Sequence, residues 1–382
     1  MRVAIIGLSP SIGMQFYSAG LASAVASKPG HEVWVVGSAA LRSSAYHKDV
    51  RLLPECSFSG TGLSLSALNP ARFYRLLRQI EALCPDVVHI TTPHLWNVPI
   101  VSCLRGRYPI VLTRHDAVTH EGARGELIKG IYRRAEVNVA DSVVVHSEAI
   151  ARIVDSWRTD SASTSVMPLV HHCFDYDLYR QIRATDEESS SYENLVVLFG
   201  RLEKYKGVWE FIDAARLLCT SDGFQIKMVI AGTGRLSEEL AKCECPGNLE
   251  RRNYLIKDAE TIDLFSRAGL IVLPYSEASQ SALIPLAYLF RKPVLVTRVG
   301  ALPEYVRDNV TGRIIESNEP AVLAQAIHDL FSDKDALVEM GRAGRAFLHE
   351  LETELANSLL DCYTRVTQSR ATRRNSNRHV RL

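Results

Sequence analysis

Leu195-Val196-Val197-Leu198-Phe199-Gly200-Arg201-Leu202-Glu203-Lys204-Tyr205-Lys206-Gly207 begins with five apolar residues, breaks at a glycine, and sets Arg201 and Lys206 ahead of a second glycine. A short, unbroken apolar run of this kind fits a parallel strand covered on both faces, not one with a wet side. Helical periodicity follows from Val208 to Leu218, so the stretch reads as strand, tight turn and helix, the repeating unit of an α/β domain. Arg201 and Lys206 flank that turn, where both can reach a diphosphate. Arginine offers a planar fork and lysine a compact charge. Together they would neutralise charge developing on a departing nucleoside diphosphate. A solvated basic turn has the same spacing, so the cations alone do not decide the chemistry.

Further strands are predicted on both sides of this segment. Before it come Val3 to Ile6, Glu32 to Gly37, Asp86 to Ile90, Ile110 to Thr113 and Ser142 to His146, with a helix over Tyr17 to Ala26. After it come Ile226 to Ile230, Leu270 to Leu273 and Val294 to Val296, then helices over Ala321 to Leu330 and Ala336 to Val366. The polar, serine-rich stretch 183–194 separates the two series and reads as a linker. The expected organisation is an α/β protein with two Rossmann-like, doubly wound parallel-sheet domains facing a cleft. Residues 1–182 form the first of these domains and 195–350 the second. A C-terminal helix over 351–366 packs back toward the first domain, and 367–382 form a basic disordered tail. Open parallel sheets bind ligands at the carboxyl ends of their strands, which directs attention to the loops there.

Gly7-Leu8-Ser9-Pro10-Ser11-Ile12-Gly13-Met14 follows the first strand. Its small residues let backbone N–H groups approach an anion at a helix N-terminus, with Gly13 and Met14 as donor-binding candidates. The loop is not G-x-G-x-x-G, and Gly37-Ser38-Ala39 ends the second strand where a ribose-binding acid would stand, which disfavours a nicotinamide dinucleotide. Val229-Ile230-Ala231-Gly232-Thr233-Gly234-Arg235 ends another strand in a glycine-paired turn, and Gly232 and Thr233 are candidates to lie against a nucleotide. In Leu273-Pro274-Tyr275-Ser276-Glu277-Ala278-Ser279-Gln280-Ser281-Ala282-Leu283 a polar loop joins a strand to an apolar helix. Glu277 can hydrogen-bond sugar hydroxyls there, and Gln280 and Ser281 suit a phosphate near a helix N-terminus.

Composition narrows the class. The 382 residues suit two domains, and 47% hydrophobic with 23% charged is ordinary globular usage with enough apolar material for two cores. A formal net charge of +1 gives no general attraction to nucleic acid. The eight cysteines are scattered, with no second pair at zinc spacing beside Cys243 and Cys245, so reduced thiols are expected. The N-terminal run is broken by Ser9 and Pro10 before a signal-peptide core could form. No window reaches the roughly 18 apolar residues of a membrane span. A cytoplasmic protein is expected, peripheral at the inner face of the membrane at most. The stretch after Val366 carries Arg370, Arg373, Arg374, Arg378 and Arg381 and no acid. With Lys129, Arg133 and Arg134 it could meet an anionic lipid surface, though a solvated face explains these charges equally well.

Taken in order, the Gly-Arg-Leu-x-x-x-Lys-Gly segment, the Ala-Gly-Thr-Gly turn, Leu-Pro-Tyr-Ser-Glu-Ala, Pro-Val-Leu-Val-Thr-x-x-Gly-x-x-Pro-Glu and Thr311-Gly312 resemble the retaining glycosyltransferases of the GT-B fold, family four (glycosyl transferases group 1). The resemblance is densest from Leu195 to Ile315. It continues through Pro85 to His89, Thr113-Arg114-His115-Asp116 and Ala140 to Ser147. It implies that Arg201 and Lys206 hold the donor pyrophosphate, that Glu277 contacts the transferred sugar and that His115 faces that sugar across the cleft. Those four are the catalytic candidates. Asp116, on the acceptor side, is assigned to orienting His115 or the acceptor. His120, His171 and His172 have no comparable support.

One departure stands out: the family's second glutamate, which binds the donor ribose eight residues after the first, falls on Pro285 or, shifted by one, Leu286. The implied reaction moves a sugar from a UDP- or GDP-linked donor to a glycan or lipid-linked acceptor with retention, in polysaccharide or cell-envelope glycan synthesis. Retention by a front-face route needs positioning and electrostatics, not a pair of carboxylates. No Asp-x-Asp stands at a strand end, so no metal and no cofactor beyond the nucleotide sugar is expected. Two rivals share the architecture: a nucleotide-sugar 2-epimerase, and a non-catalytic subunit that binds a partner transferase.

Overall fold

The computed structural model describes residues 1–38, 41–56, 69–116, 126–159, 164–170, 173–185, 192–219 and 225–379, with the backbone alone over 54–56, 126–129 and 373–379. His120, His171, His172 and Arg381 lie outside the described residues. The chain divides into two compact units, Met1–Tyr179 with Leu351–Leu382, and Arg180–Glu350.

The first unit is built on seven parallel strands: β1 (Arg2–Gly7), β2 (Glu32–Ser38), β3 (Val50–Cys56), β4 (Val87–Ile90), β5 (Ile110–Thr113), β6 (Ser142–Val145) and β7 (Thr164–Val166). Their spatial order, β3-β2-β1-β4-β5-β6-β7, reverses direction between β1 and β4. Ile5 pairs with both Val35 and His89, which puts His89 in the middle of the sheet. Among the described residues the strands are accompanied by helices α1 (Ile12–Ala26), α2 (Pro70–Ala82), α3 (Asn97–Leu104), α4 (Glu126–Val139) and α5 (Glu148–Trp157), and α6 (Tyr176–Ala184) runs from this unit into the next. Their starts follow local chemistry. The Asn69 side chain accepts from Ala71 N with Pro70 in the first turn of α2, and Ser147 Oγ accepts from Ile150 N ahead of α5. Helix α1 is apolar on nearly all sides and buried along most of its length, as a helix enclosed by the rest of its domain must be.

The second unit holds β8 (Leu195–Phe199), β9 (Lys227–Ala231), β10 (Leu249–Arg252), β11 (Leu270–Leu273), β12 (Val294–Thr297) and β13 (Gly312–Ile315), all parallel, in the order β10-β9-β8-β11-β12-β13. Its helices are α7 (Val208–Cys219), α8 (Ser237–Lys242), α9 (Asp258–Arg267), α10 (Leu283–Leu289), α11 (Pro320–Ser332) and the start of α12 (Lys334–His379). The core gathers Val196, Leu198, Phe211, Ile230, Leu270, Val272 and Leu295 from the strands and α7 with Leu323, Ile327 and Phe331 of α11. The fold class read from the sequence is the one observed. The direction reverses here between β8 and β11, so the loops after β8 and β11 flank the crevice where open α/β sheets hold ligands.

Two sequence expectations meet a different structure. The stretch read as a disordered tail continues α12 in helical form to His379. Arg370 explains part of this: its guanidinium donates to the carbonyls of Arg105 and Tyr108 and lies 3.4 Å from Asp141, so that turn is tied to the first unit. Within the stretch read as a linker, Arg183 and Ala184 end α6, while Glu193 pairs with Arg267 at 2.8 Å and takes the Arg267 carbonyl through its N–H. The seven described cysteines, all those outside 54–56, are free thiols.

Candidate functional site

In the second unit, β8 ends at Gly200 and the chain turns through Arg201 to a short 3-10 turn, Lys204–Lys206, before α7. Gly207 is left-handed (φ 69°), and a Cβ there would overlap the Pro274 carbonyl oxygen. Only glycine permits both that backbone and that approach, so the turn after β8 is pressed against the loop after β11. Lys206 is drawn inward by this geometry to 8% exposure. Its ammonium donates to Tyr275 Oη at 2.8 Å and stands 4.6 Å from the centre of the same ring. A phenol and a π-face leave a buried ammonium short of a counter-charge. Arg201 projects into solvent, and among the described residues its side chain has no partner. Both cations act on Tyr205, whose hydroxyl is raised by burial against their opposing pull.

The turn after β9 closes on the same place. Gly232 adopts φ 143°, and a Cβ there would strike the Gly200 carbonyl oxygen. Backbone bonds zip the two turns together, Gly200 N to Ala231 O at 2.9 Å and Leu202 N to Thr233 O at 3.1 Å. The glycines read as room for a nucleotide are thus required first by the fit of one turn on the other. Thr233 is exposed and its hydroxyl meets Ser237 Oγ at 3.1 Å.

Glu277 is exposed on the loop after β11. That loop is pinned on two sides: Ser276 N donates to Tyr205 O at 2.8 Å, and Thr297 Oγ1 donates to Tyr275 O at 2.6 Å. The carboxylate therefore sits on a loop secured to the Lys206 turn. Ser281 is buried with its hydroxyl accepting from Leu283 N at 3.3 Å, and Gln280 is half-buried. Pro285 and Leu286, where the ribose glutamate would fall, are both buried in α10. The position is filled by hydrocarbon, and a carboxylate there would lack water.

The first unit holds the remaining candidates. Gly13 is exposed and Met14 half-buried in the first turn of α1, whose N-cap Ser11 makes no side-chain cap. The preceding loop is fixed by Ser9 N donating to Thr92 Oγ1 at 3.2 Å. His115 lies just beyond β5, 6% exposed, with Nε2 at 2.9 Å from Thr91 O. A carbonyl only accepts, so Nε2 carries the proton. The Tyr17 ring meets His115 edge-on at 4.4 Å, and His146 lies 5.7 Å away. Asp116, next in the chain, is exposed. Beneath them Arg114 and Glu136 form a buried ion pair at 2.8 Å, and Glu136 also accepts from Asn97. This pair anchors the β5 loop to α4.

Sequence reasoning overlooked the polar groups that surround these candidates. Tyr275, the partner of Lys206, was quoted in a motif without a role. Tyr17, His89, His146 and Tyr363 were read as ordinary helix or strand positions, yet all four are buried. The available signal was a polar ring inside an otherwise apolar run, as in Val87-Val88-His89-Ile90. Burial, reinforced by His146 and His115, lowers His89 to about 3. Burial alone lowers His94 to about 4.

The glycosyl transferases group 1 model matches residues 181–347, and the glycosyltransferase family 4 model matches residues 13–169. The chain belongs to the family 4 glycosyltransferases. A D-inositol 3-phosphate glycosyltransferase of Nocardia farcinica is 27% identical over 317 residues, covering 76% of this chain and 69% of that protein. The corresponding protein of Corynebacterium efficiens is 23% identical over 65% of this chain and 61% of its own length. Among solved structures, Anabaena HepE in complex with UDP-glucose has a TM-score of 0.66 at 15% identity, covering 97% of this chain and all of that one. A sucrose-phosphate synthase from Thermosynechococcus elongatus has a TM-score of 0.70 at 18% identity over 97% of this chain and 100% of its own. At such identities these likenesses establish the fold, which is GT-B. Among the described residues no helix is long and apolar enough to cross a membrane.

Proposed function

We propose that this glycosyltransferase takes a sugar from a UDP- or GDP-linked donor and transfers it, with retained anomeric configuration and without a metal, to a glycan or lipid-linked acceptor in cell-envelope or polysaccharide assembly. The observation that carries the reading is Lys206, on the same turn as the exposed Arg201, whose buried ammonium has Tyr275 as its one hydrogen-bond partner among the described residues. A diphosphate supplies the counter-charge that this pair of cations is missing, and their attraction grows as the leaving group gains charge. Glu277 would orient the sugar through its hydroxyls. His115 would face the anomeric region as a neutral ring, its proton on Nε2 held by Thr91 O. On a front-face route the leaving phosphate itself helps remove the acceptor proton, so the residues contribute geometry and field and not a nucleophile.

With hydrocarbon at Pro285 and Leu286, the donor ribose would be read by other groups, Gln280 and Thr233 being the nearest in the motif order. Contact with anionic lipid belongs to the same proposal, through Arg373, Arg374 and Arg378 but without Arg370, which is engaged in the first unit. Ending the chain after Thr372 should then release the protein from anionic vesicles while leaving its transferase activity in solution. The test of the reaction is calorimetry against UDP, GDP and their sugars, followed by product analysis with EDTA present. Released nucleotide with an α-linked product from an α-linked donor supports the reading. An epimerised sugar, or no nucleotide binding at all, would favour the 2-epimerase or the non-catalytic subunit respectively.

A further inference from the structure

An unbroken line of hydrogen bonds crosses the core of the first unit. Tyr363 Oη meets His89 Nδ1 at 2.7 Å, His89 Nε2 meets Thr113 Oγ1 at 2.8 Å, and Thr113 Oγ1 meets Tyr17 Oη at 3.1 Å. Tyr17 Oη then meets His146 Nε2 at 2.9 Å, and His146 Nδ1 meets Met167 O at 3.0 Å. Every side chain in the line is buried. It joins the C-terminal part of α12 to α1, β4, β5 and the end of β6, and it finishes at the two rings packed on His115.

The Met167 end sets the direction of the whole line. A carbonyl accepts, so His146 Nδ1 carries a proton. In the neutral ring Nε2 then accepts, and Tyr17 must spend its single hydroxyl proton on it. Thr113 consequently donates to Tyr17, His89 donates to Thr113 from Nε2, and Tyr363 donates to His89 Nδ1. Each donor is used once and each link is satisfied. Protonating His146 reverses every link: Nε2–H donates to Tyr17, Tyr17 to Thr113, Thr113 to His89, and His89 Nδ1–H to Tyr363. The Tyr363 hydroxyl proton then has no acceptor among the described residues, inside a fully buried site. A buried donor left unpaired is costly, so the line resists a charge on His146 from its far end.

We propose that Tyr17, His89, His146 and Tyr363 are positioning residues for His115: their directional hydrogen-bond line locks the two rings against which His115 packs and keeps the cluster uncharged. This rests on the role given to His115 above, where the sugar gains positive charge in the transition state and a cation 5.7 Å from His115 would oppose it. Among the described residues, the titratable groups in the line or against it are Tyr17 from α1, His89 from β4, His146 after β6, His115 after β5, and Tyr363 with Cys362 from α12. Burial raises the Cys362 thiol and the Tyr363 hydroxyl and lowers His89, so the set is neutral. Arg114, beside His115 in the chain, is neutralised by Glu136, and Glu148, Asp155, Asp361 and Arg365 line a hollow together with Met167.

Histidine-selective 15N NMR of the full chain tests this without requiring activity. The wild-type protein should show the proton on Nδ1 of His146 and on Nε2 of His89 and His115, with His146 uncharged at pH 5.5. Tyr363→Phe takes from the uncharged line the bond that His89 Nδ1 accepts, while the charged line strands one donor with or without the hydroxyl, so it should raise the midpoint of His146 by one pH unit or more, a tenfold change in proton affinity. The acid limb of sugar transfer should move with it. Tyr17→Phe, which keeps the ring, removes both the donor to neutral His146 Nε2 and the acceptor of its protonated form; it cuts His146 off from the line, so adding Tyr363→Phe to it should leave that midpoint unmoved. The opposite tautomer on His146 or His89, or a midpoint that Tyr363→Phe does not move, overturns the proposal. Histidines that behave as stated in a protein with no transfer from any nucleotide sugar would uphold the line and refute the transferase reading of the site.

Discussion

Replacing Lys206 by methionine should make the ligand-free protein more stable and its nucleotide binding much weaker. The two effects have opposite signs because one feature causes both. The ammonium is 8% exposed, holds Tyr275 Oη at 2.8 Å, and lies 4.6 Å from that ring. A hydrogen bond from a charged donor contributes about 1.5–3 kcal/mol and the cation–π contact about 0.5–2 kcal/mol. Against these stands a desolvation cost of several kcal/mol for a buried ion without an opposite charge. Methionine keeps most of the stem and removes the ion, so a net gain of about 1–2 kcal/mol is expected. In a unit the size of Arg180–Glu350, each kcal/mol moves Tm by about 2–4 °C. The diphosphate meanwhile loses a charge-assisted contact of about 2–3 kcal/mol, or about 30- to 150-fold in Kd. Differential scanning fluorimetry and calorimetry with the tighter-binding of UDP and GDP measure both. A variant that melts lower yet binds the nucleotide as well as wild type would show Lys206 to be structural, and the donor-site reasoning would be wrong.

Glu277→Gln should lower kcat by about 10²-fold or more while changing nucleotide diphosphate affinity less than threefold, because the carboxylate is assigned to the sugar and not the phosphates; steady-state kinetics beside calorimetry separates the two. Gly232→Ala places a Cβ against the Gly200 carbonyl at φ 143° and should cost at least about 2 kcal/mol, read as a lower denaturation midpoint together with weaker nucleotide binding. Stability should also depend on pH through His89. Its folded value of about 3 lies below the ordinary 6.5, so the unfolded chain binds the proton first. The contribution is present above pH 6.5 and falls as the pH drops toward 3, by up to about 1.4 kcal/mol per pH unit; His89→Gln should flatten that part of a urea-denaturation series.

The strands legible in the sequence are the interior ones. β1, β2, β4, β5 and β6 of the first sheet, and β8, β9, β11 and β12 of the second, are short apolar runs because both of their faces are covered. The four that escaped notice, β3, β7, β10 and β13, are the four edges of the two sheets. An edge strand need not be apolar throughout: β10 is Leu-Glu-Arg-Arg and β7 is Thr-Ser-Val. It is held by pairing with its neighbour's backbone, which no local pattern records.

The candidate site divides along the same line. Arg201, Lys206 and Glu277 could be named from the sequence because a strand, a tight turn and a helix in succession must place their loop residues at the sheet's carboxyl edge. The residue types there suit a phosphorylated, hydroxylated ligand without deciding for one, and it was the family resemblance that gave them roles. That Lys206 is buried against Tyr275, that Gly232 and Gly207 serve the packing of one turn on another, and that His115 rests on Tyr17 and His146 were decided by tertiary structure. Tyr363 joins His89 across 274 residues of chain. Hydrogen bonds of that kind form only where folding brings distant polar groups together and shuts out water, so they leave no spacing to read.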